Sequence, residues 1–185
     1  IYRVVRTDRP IKCGNDLDCA GEVGKVDIVV DGIILTDGSA SPGNSVYFRP
    51  EDPTPPNQAG AGQDWGGMFL TYFCTGSHLK YADLGYAANP LYLYFPGSGQ
   101  TIEHSRIHHF SDVGIWVFKK GSGDGPFLNA VTIERSFPSS NPTPGELGVY
   151  LDEADGTDLT NSTIDLTGHD TGQSLNGTVG VWARI

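Results

Sequence analysis

The stretch DVGIWVF (112–118) sets a glycine before a β-branched residue, an aromatic and a further aliphatic, and the same order returns as LGVYL (147–151) and VGVWA (179–183). The sequence between these copies shows little similarity. A strand that recurs while its connections drift points to stacked repeats, and the neighbouring segments should then recur with it. LKYADLG (79–85), IEHSRIH (102–108), LNAVTIE (128–134) and LTNSTID (159–165) each hold an aliphatic, four intervening residues and a second aliphatic. A second strand follows each: PLYLY, VGIWV, LGVYL and VGVWA. The first aliphatic positions, Leu79, Ile102, Leu128 and Leu159, are separated by 23, 26 and 31 residues. Connections such as KKGSGDGP (119–126) and PSSNPTPGE (138–146) absorb the difference and are too rich in breakers for helix.

Two or three short strands per unit exclude a leucine-rich repeat, which needs a helix and a Leu/Asn consensus, and a propeller, which needs four strands per blade. A parallel β-helix remains, in which each repeat makes one coil and equivalent strands stack ~4.8 Å apart. Strand alternation then turns Ile115, Val117, Val149, Leu151, Val181 and Ala183 inward. The polar middle of LTNSTI becomes a tight corner in which Asn161 takes left-handed geometry. The glycine before each second strand is expected at a sharp bend between loop and strand. The expected fold is all-β: a parallel β-helix of about five to six coils over residues 25–185, with residues 1–24 capping or flanking the first coil.

Composition agrees with frequent turns: 25 Gly and 12 Pro accompany 18% charged residues, below the roughly 25% of ordinary soluble domains. Twelve Lys+Arg face 22 Asp+Glu, and no basic cluster exceeds Lys119-Lys120, which argues against a nucleic-acid partner. No apolar run approaches the roughly 18 residues of a membrane span. The N-terminus, IYRVVRTDRP, has neither initiator Met nor signal-peptide core, so the chain is expected to be a processed product or a piece of something longer. Cys13 and Cys19 bracket the polar loop GNDLD, which either a disulfide closes or two free thiols flank; a zinc site would need further ligands. Cys74, in LTYFCTG, reads as a small core filler. The sequons at Asn161 and Asn176 are compatible with an exported protein and with chance.

The upstream region carries further stations: Val46-Tyr47-Phe48, then Asp64-Trp65-Gly66-Gly67-Met68-Phe69, then Ser77-His78-Leu79-Lys80-Tyr81 and Tyr86-Ala87. In this order they resemble right-handed parallel β-helix repeat proteins of the pectate-lyase-like superfamily, including bacterial surface and adhesin-like members. The resemblance covers roughly residues 25–185. It implies the right-handed coil sense, and it implies little about function, because the architecture serves surface proteins, phage tailspikes and polysaccharide lyases or hydrolases alike.

Two polar clusters are candidates for chemistry. EHSRIHHFSD offers Glu103, His108 and Asp112 for acid/base work if they converge across a coil; the competing reading is solvated polar residues, with His104 at a corner and His108-His109 opening a loop. LDEADGTDL has the oxygen density of a calcium loop in Asp152, Asp155 and Asp158 without EF-hand spacing, and competes with an incidental acidic turn. Alignment of the second strands puts Tyr92, Trp116, Tyr150 and Trp182 in one outward column. Such a ladder is kept under loops, against a protein partner or under a polysaccharide. An extracellular or cell-surface structural or adhesive role is expected, with a polysaccharide lyase or hydrolase as the alternative. TVGVWARI ends the chain on a second strand, so Ile185 is expected not to be a free capped terminus: the solenoid continues, or this coil docks on another subunit and builds a filament.

Overall fold

The computed structural model describes residues 3–5, 27–40, 45–50, 65–94, 96, 99–119, 124–134, 147–166 and 179–184. Three strands make each coil. The first coil is β2 (Asp27–Val30), β3 (Leu35–Asp37) and β4 (Val46–Phe48); the second is β5 (Gly67–Leu70), β6 (His78–Lys80) and β7 (Ala82–Gly85). The third is β8 (Leu91–Tyr94), β9 (Thr101–Glu103) and β10 (Arg106–His108), and the fourth β11 (Val113–Phe118), β12 (Phe127–Asn129) and β13 (Thr132–Glu134). The fifth is β14 (Leu147–Asp152), β15 (Asp158–Thr160) and β16 (Thr163–Asp165), and β17 (Val179–Arg184) opens a sixth. Equivalent strands pair in parallel into one seven-stranded and two five-stranded sheets. The architecture is a right-handed parallel β-helix. The seventh strand of the large sheet is β1 (Arg3–Val5), antiparallel to β2 at that sheet's edge. Cys13, Cys19 and Asn176 lie outside the described residues.

Inward residues stack on their equivalents. Leu79, Ile102 and Leu128 form one column, Leu84, Ile107 and Ile133 another, and Leu93 and Val117 a third, all without solvent exposure. A residue in a solenoid is covered by the coil on either side of its own. Ile115 and Val149 are accordingly fully buried, whereas Val181, their equivalent on β17, is 44% exposed. Cys74 is a buried thiol that donates to the Val30 carbonyl, Sγ···O 2.7 Å.

The corner between the two smaller sheets explains the four residues between paired aliphatics. Tyr81, His104, Ala130 and Asn161 occupy it in successive coils, all left-handed with φ 49–52°. Asn161 suits that geometry best, and its amide donates to Asn129 Oδ1 at 2.9 Å. Beside it, Ser105 Oγ accepts from the Ala82 N–H and donates to the Glu103 carbonyl, and Ser162 repeats this toward Val131 and Thr160.

The recurring glycine is not at a bend. Gly114 and Gly148 lie inside β11 and β14 without positive φ. A Cβ on Gly114 would stand 2.7 Å from the Gly148 carbonyl oxygen and 3.0 Å from Ile133 Cγ2; one on Gly148 would stand 2.6 Å from both the Gly180 oxygen and Ile164 Cγ2. Close approach between coils and across the core, rather than a turn, requires glycine there.

Candidate functional site

Register places the predicted aromatic column on the outer face of the large sheet. Tyr92 pairs with Trp116, Trp116 with Tyr150 and Tyr150 with Trp182. Phe69 extends the column upstream through its pairing with Tyr92. Successive ring centroids are 4.6, 5.0, 5.2 and 5.5 Å apart, with tilted or edge-on planes, so each ring covers the next. Phe69, Tyr92, Trp116 and Tyr150 are half-buried, and Trp182 is 53% exposed. Two positions along the strands, Tyr94 stacks on Phe118 at 5.5 Å, which widens the apolar surface. Burial, then the charges of Tyr94 and Asp152, push the Tyr92 phenol up to about 12. It therefore stays neutral through the physiological range.

At the upstream end of the ladder the rings wall a cleft of about 420 Å³ with Gly66, Gly67 and Met68 at its base and Asp27 and Asn89 beside it. Gly66 leaves room for a carboxylate, since a Cβ there would lie 1.5 Å from Asp27 Oδ1. Gly67, at φ +132°, lies under Asn89, whose carbonyl oxygen would be 1.9 Å from a Cβ. Asn89 Oδ1 accepts from the Val113 N–H at 3.2 Å, which fixes the amide with its NH₂ on the other side. The indole N–H of Trp116 is buried and has no hydrogen-bond partner among the described residues.

The acid/base candidates engage other residues. Glu103 meets His78 Nε2 at 2.7 Å on the face of β6 and β9. His108 Nε2 meets Asp83 Oδ1 at 2.8 Å, and its Nδ1 lies 2.5 Å from His109 Nδ1. Asp112 lies on the turn into β11; its N–H donates to Ala88 and its carbonyl accepts from Leu147. His108 and His109 are not solvated: they are 2% and 9% exposed. Gly85 makes this burial possible, because a Cβ there would stand 2.5 Å from His108 Cε1. Arg106 lies 3.5 Å from Asp83 and bonds Glu134, Nε···Oε1 2.7 Å. Burial pushes the Asp83 carboxyl up, but the His108 hydrogen bond and the charges of His108, Arg106 and Arg49 outweigh it and hold the carboxyl below its ordinary value. Burial, reinforced by His108 and Arg106, pushes the His109 imidazole down to about 4. His109 stacks on Tyr86 at 4.4 Å.

The acidic candidates divide between β14 (Asp152), the turn after it (Asp155) and β15 (Asp158). Asp152 Oδ1 lies 2.5 Å from Arg184 Nη2, an ion pair by proximity whose angles fall short of a hydrogen bond. Among the described residues no three His, Cys, Asp or Glu side chains gather to hold a metal.

Fold and face together define a parallel β-helix solenoid with an external aromatic ladder. No family model, no curated protein and no solved structure matches the chain.

Proposed function

We propose that this chain is an extracellular structural or adhesive β-helix, related to the adhesin-like members of the pectate-lyase-like superfamily, that holds polysaccharide on its aromatic face. One observation carries the reading: five rings in consecutive coils stand in register on one outer face, with successive centroids 4.6, 5.0, 5.2 and 5.5 Å apart, and so make a continuous aromatic strip along which a polysaccharide chain can lie. Stacked coils hold them rigidly, so little ordering opposes binding. Affinity electrophoresis in gels cast with soluble polysaccharides tests it. Retardation of the wild-type chain that Trp182→Ala reduces supports the proposal; equal mobility in every gel speaks against it. New reducing ends or unsaturated uronides in the same incubations, lost on substitution of Glu103, His108 or Asp112, would favour a cleaving enzyme instead. We further propose self-association through the β17 rung, where Val179 and Val181 are exposed. Light scattering after size exclusion checks this, and a monomer at high concentration speaks against it.

A further inference from the structure

Resting on the self-association through β17 proposed above, we infer that the partner is the same end of a second copy, joined edge to edge about a two-fold axis, so that the large sheets of two chains run into one another. The two ends of the stack differ. In the first coil Val30, Ile34 and Thr36 are already buried, and the large sheet finishes there on β1, a strand of three residues. At the other edge of that sheet stands β17, six residues long, with Val179 39% and Val181 44% exposed, although their equivalents Leu147 and Val149 in the preceding coil are buried. A long edge strand with exposed apolar residues recruits another strand. The short β1 edge covers only part of it, whereas β17 of a second copy matches it in length and in its exposed apolar positions.

Gly180 supplies a second observation. The carbonyl oxygen one coil downstream stands 2.7 Å from a Cβ built on Gly114 and 2.6 Å from one built on Gly148, so glycine is required at both. On Gly180 the same Cβ meets nothing among the described residues nearer than Ile164 Cγ2 at 3.9 Å. Glycine is kept there all the same, and the room it leaves takes the backbone of a strand laid on β17. A contact of one surface with its own copy is isologous and closes at two chains. Two edge strands related by a two-fold axis pair antiparallel, with the axis perpendicular to the sheet, so both outer faces look the same way. Trp182, the most exposed ring of its column, then lies beside its counterpart in the second copy, and the two ladders meet end to end as one strip.

The test is light scattering after size exclusion on the wild-type chain, Val181→Lys, Val181→Glu and an equimolar mixture of the two variants. In an isologous contact each variant sets its new charge near the same charge across the axis, and the mixture sets opposite charges together. The inference expects a wild-type dimer, dimerisation weakened about tenfold or more in each variant alone, and a dimer restored in the mixture, which also shows that both variants fold. Growth beyond the dimer with concentration, or a mixture of folded variants that stays as weak as its parts, overturns the two-fold contact and leaves self-association through β17 standing. A wild-type monomer at high concentration, or a dimer that neither variant weakens, overturns both. A second measurement needs no charged variant: dilution that dissociates the wild-type dimer should move tryptophan emission to longer wavelength, and Trp182→Phe should remove that shift. Dissociation without the shift overturns the meeting of the ladders.

Discussion

An alanine at position 114 would bring its Cβ to 2.7 Å from the next coil's backbone and to 3.0 Å from Ile133, so this glycine is a packing requirement of the interior. Overpacking of this kind typically costs about 1–3 kcal/mol. Gly114→Ala should therefore lower the thermal midpoint by several degrees, while Gly32→Ala, where a Cβ meets nothing within 4 Å, leaves it nearly unchanged or slightly raised. Equal midpoints for the two variants would remove the argument. Tyr92 makes a second prediction, with the opposite pH sense from a carboxyl held below its ordinary value such as Asp83. Its phenol ordinarily ionises near 10 and is held at about 12 by burial and by Tyr94 and Asp152. A group raised in the folded state contributes stability that is lost as pH rises, here between about 10 and about 12. Ultraviolet titration of phenolates should show a late phase near 12 that Tyr92→Phe removes. Sequence reading found the column Tyr92, Trp116, Tyr150 and Trp182 because all four follow the repeated apolar residue, and it missed Phe69 because GGMFL is joined to them by register alone. It misread the glycine because a carbonyl one coil away leaves no trace in local sequence.

At the scale of the element, the corner between the two small sheets does the most with the fewest residues. One left-handed residue turns the chain, and where a serine follows, its hydroxyl accepts from the adjacent coil's N–H. Ser105 is the buried case: its Oγ holds the Ala82 N–H at 3.1 Å and reaches the Glu103 and Leu79 carbonyls. Ser105→Ala leaves that N–H buried without a partner, a cost of about 1–3 kcal/mol. Urea unfolding should show it, whereas Ser162→Ala, at the exposed fifth-coil corner, should cost less. A similar loss at both sites would mean that burial does not set the value of the bond. The corner was legible in the sequence wherever an aliphatic opens it, at Leu79, Ile102, Leu128 and Leu159. It was illegible in the first coil, where Thr36 takes the place of Leu79 and the partner of Leu84 comes only at Phe48. That coil is legible only through the resemblance. The acid/base candidates were drawn from one decapeptide, but a solenoid joins residues a coil apart, and His108 takes Asp83, 25 residues upstream.

For the molecule as a whole, stability depends on every interface between neighbouring coils, so a weakness in the middle of the stack is felt along its length. Asp83, His108 and His109 tie the second coil to the third, with Arg106 and Glu134 continuing the contact to the fourth. His109 is 9% exposed and ionises near 4 in the folded chain, against an ordinary 6.5. Above the ordinary value neither state takes the proton. As pH falls from about 6.5 to about 4, the unfolded chain binds it first and folding weakens; below that both states are protonated and the loss levels off. Asp83, held below its ordinary 3.8, adds a loss of the same sign at still lower pH. Tyr86 stacks on His109, Arg106 lies beside Asp83 and bonds Glu134, and the charges of His108 and Arg106 add to the repulsion when His109 gains a proton, while Asp83 opposes it. Urea midpoints measured from pH 7 down to pH 4 should therefore fall steadily in wild type. In His109→Asn, which keeps a residue tolerant of the left-handed backbone at φ 50°, the starting stability should be lower and the slope shallower by about one proton over that interval. A wild-type slope retained in the variant would place the acid sensitivity elsewhere in the chain.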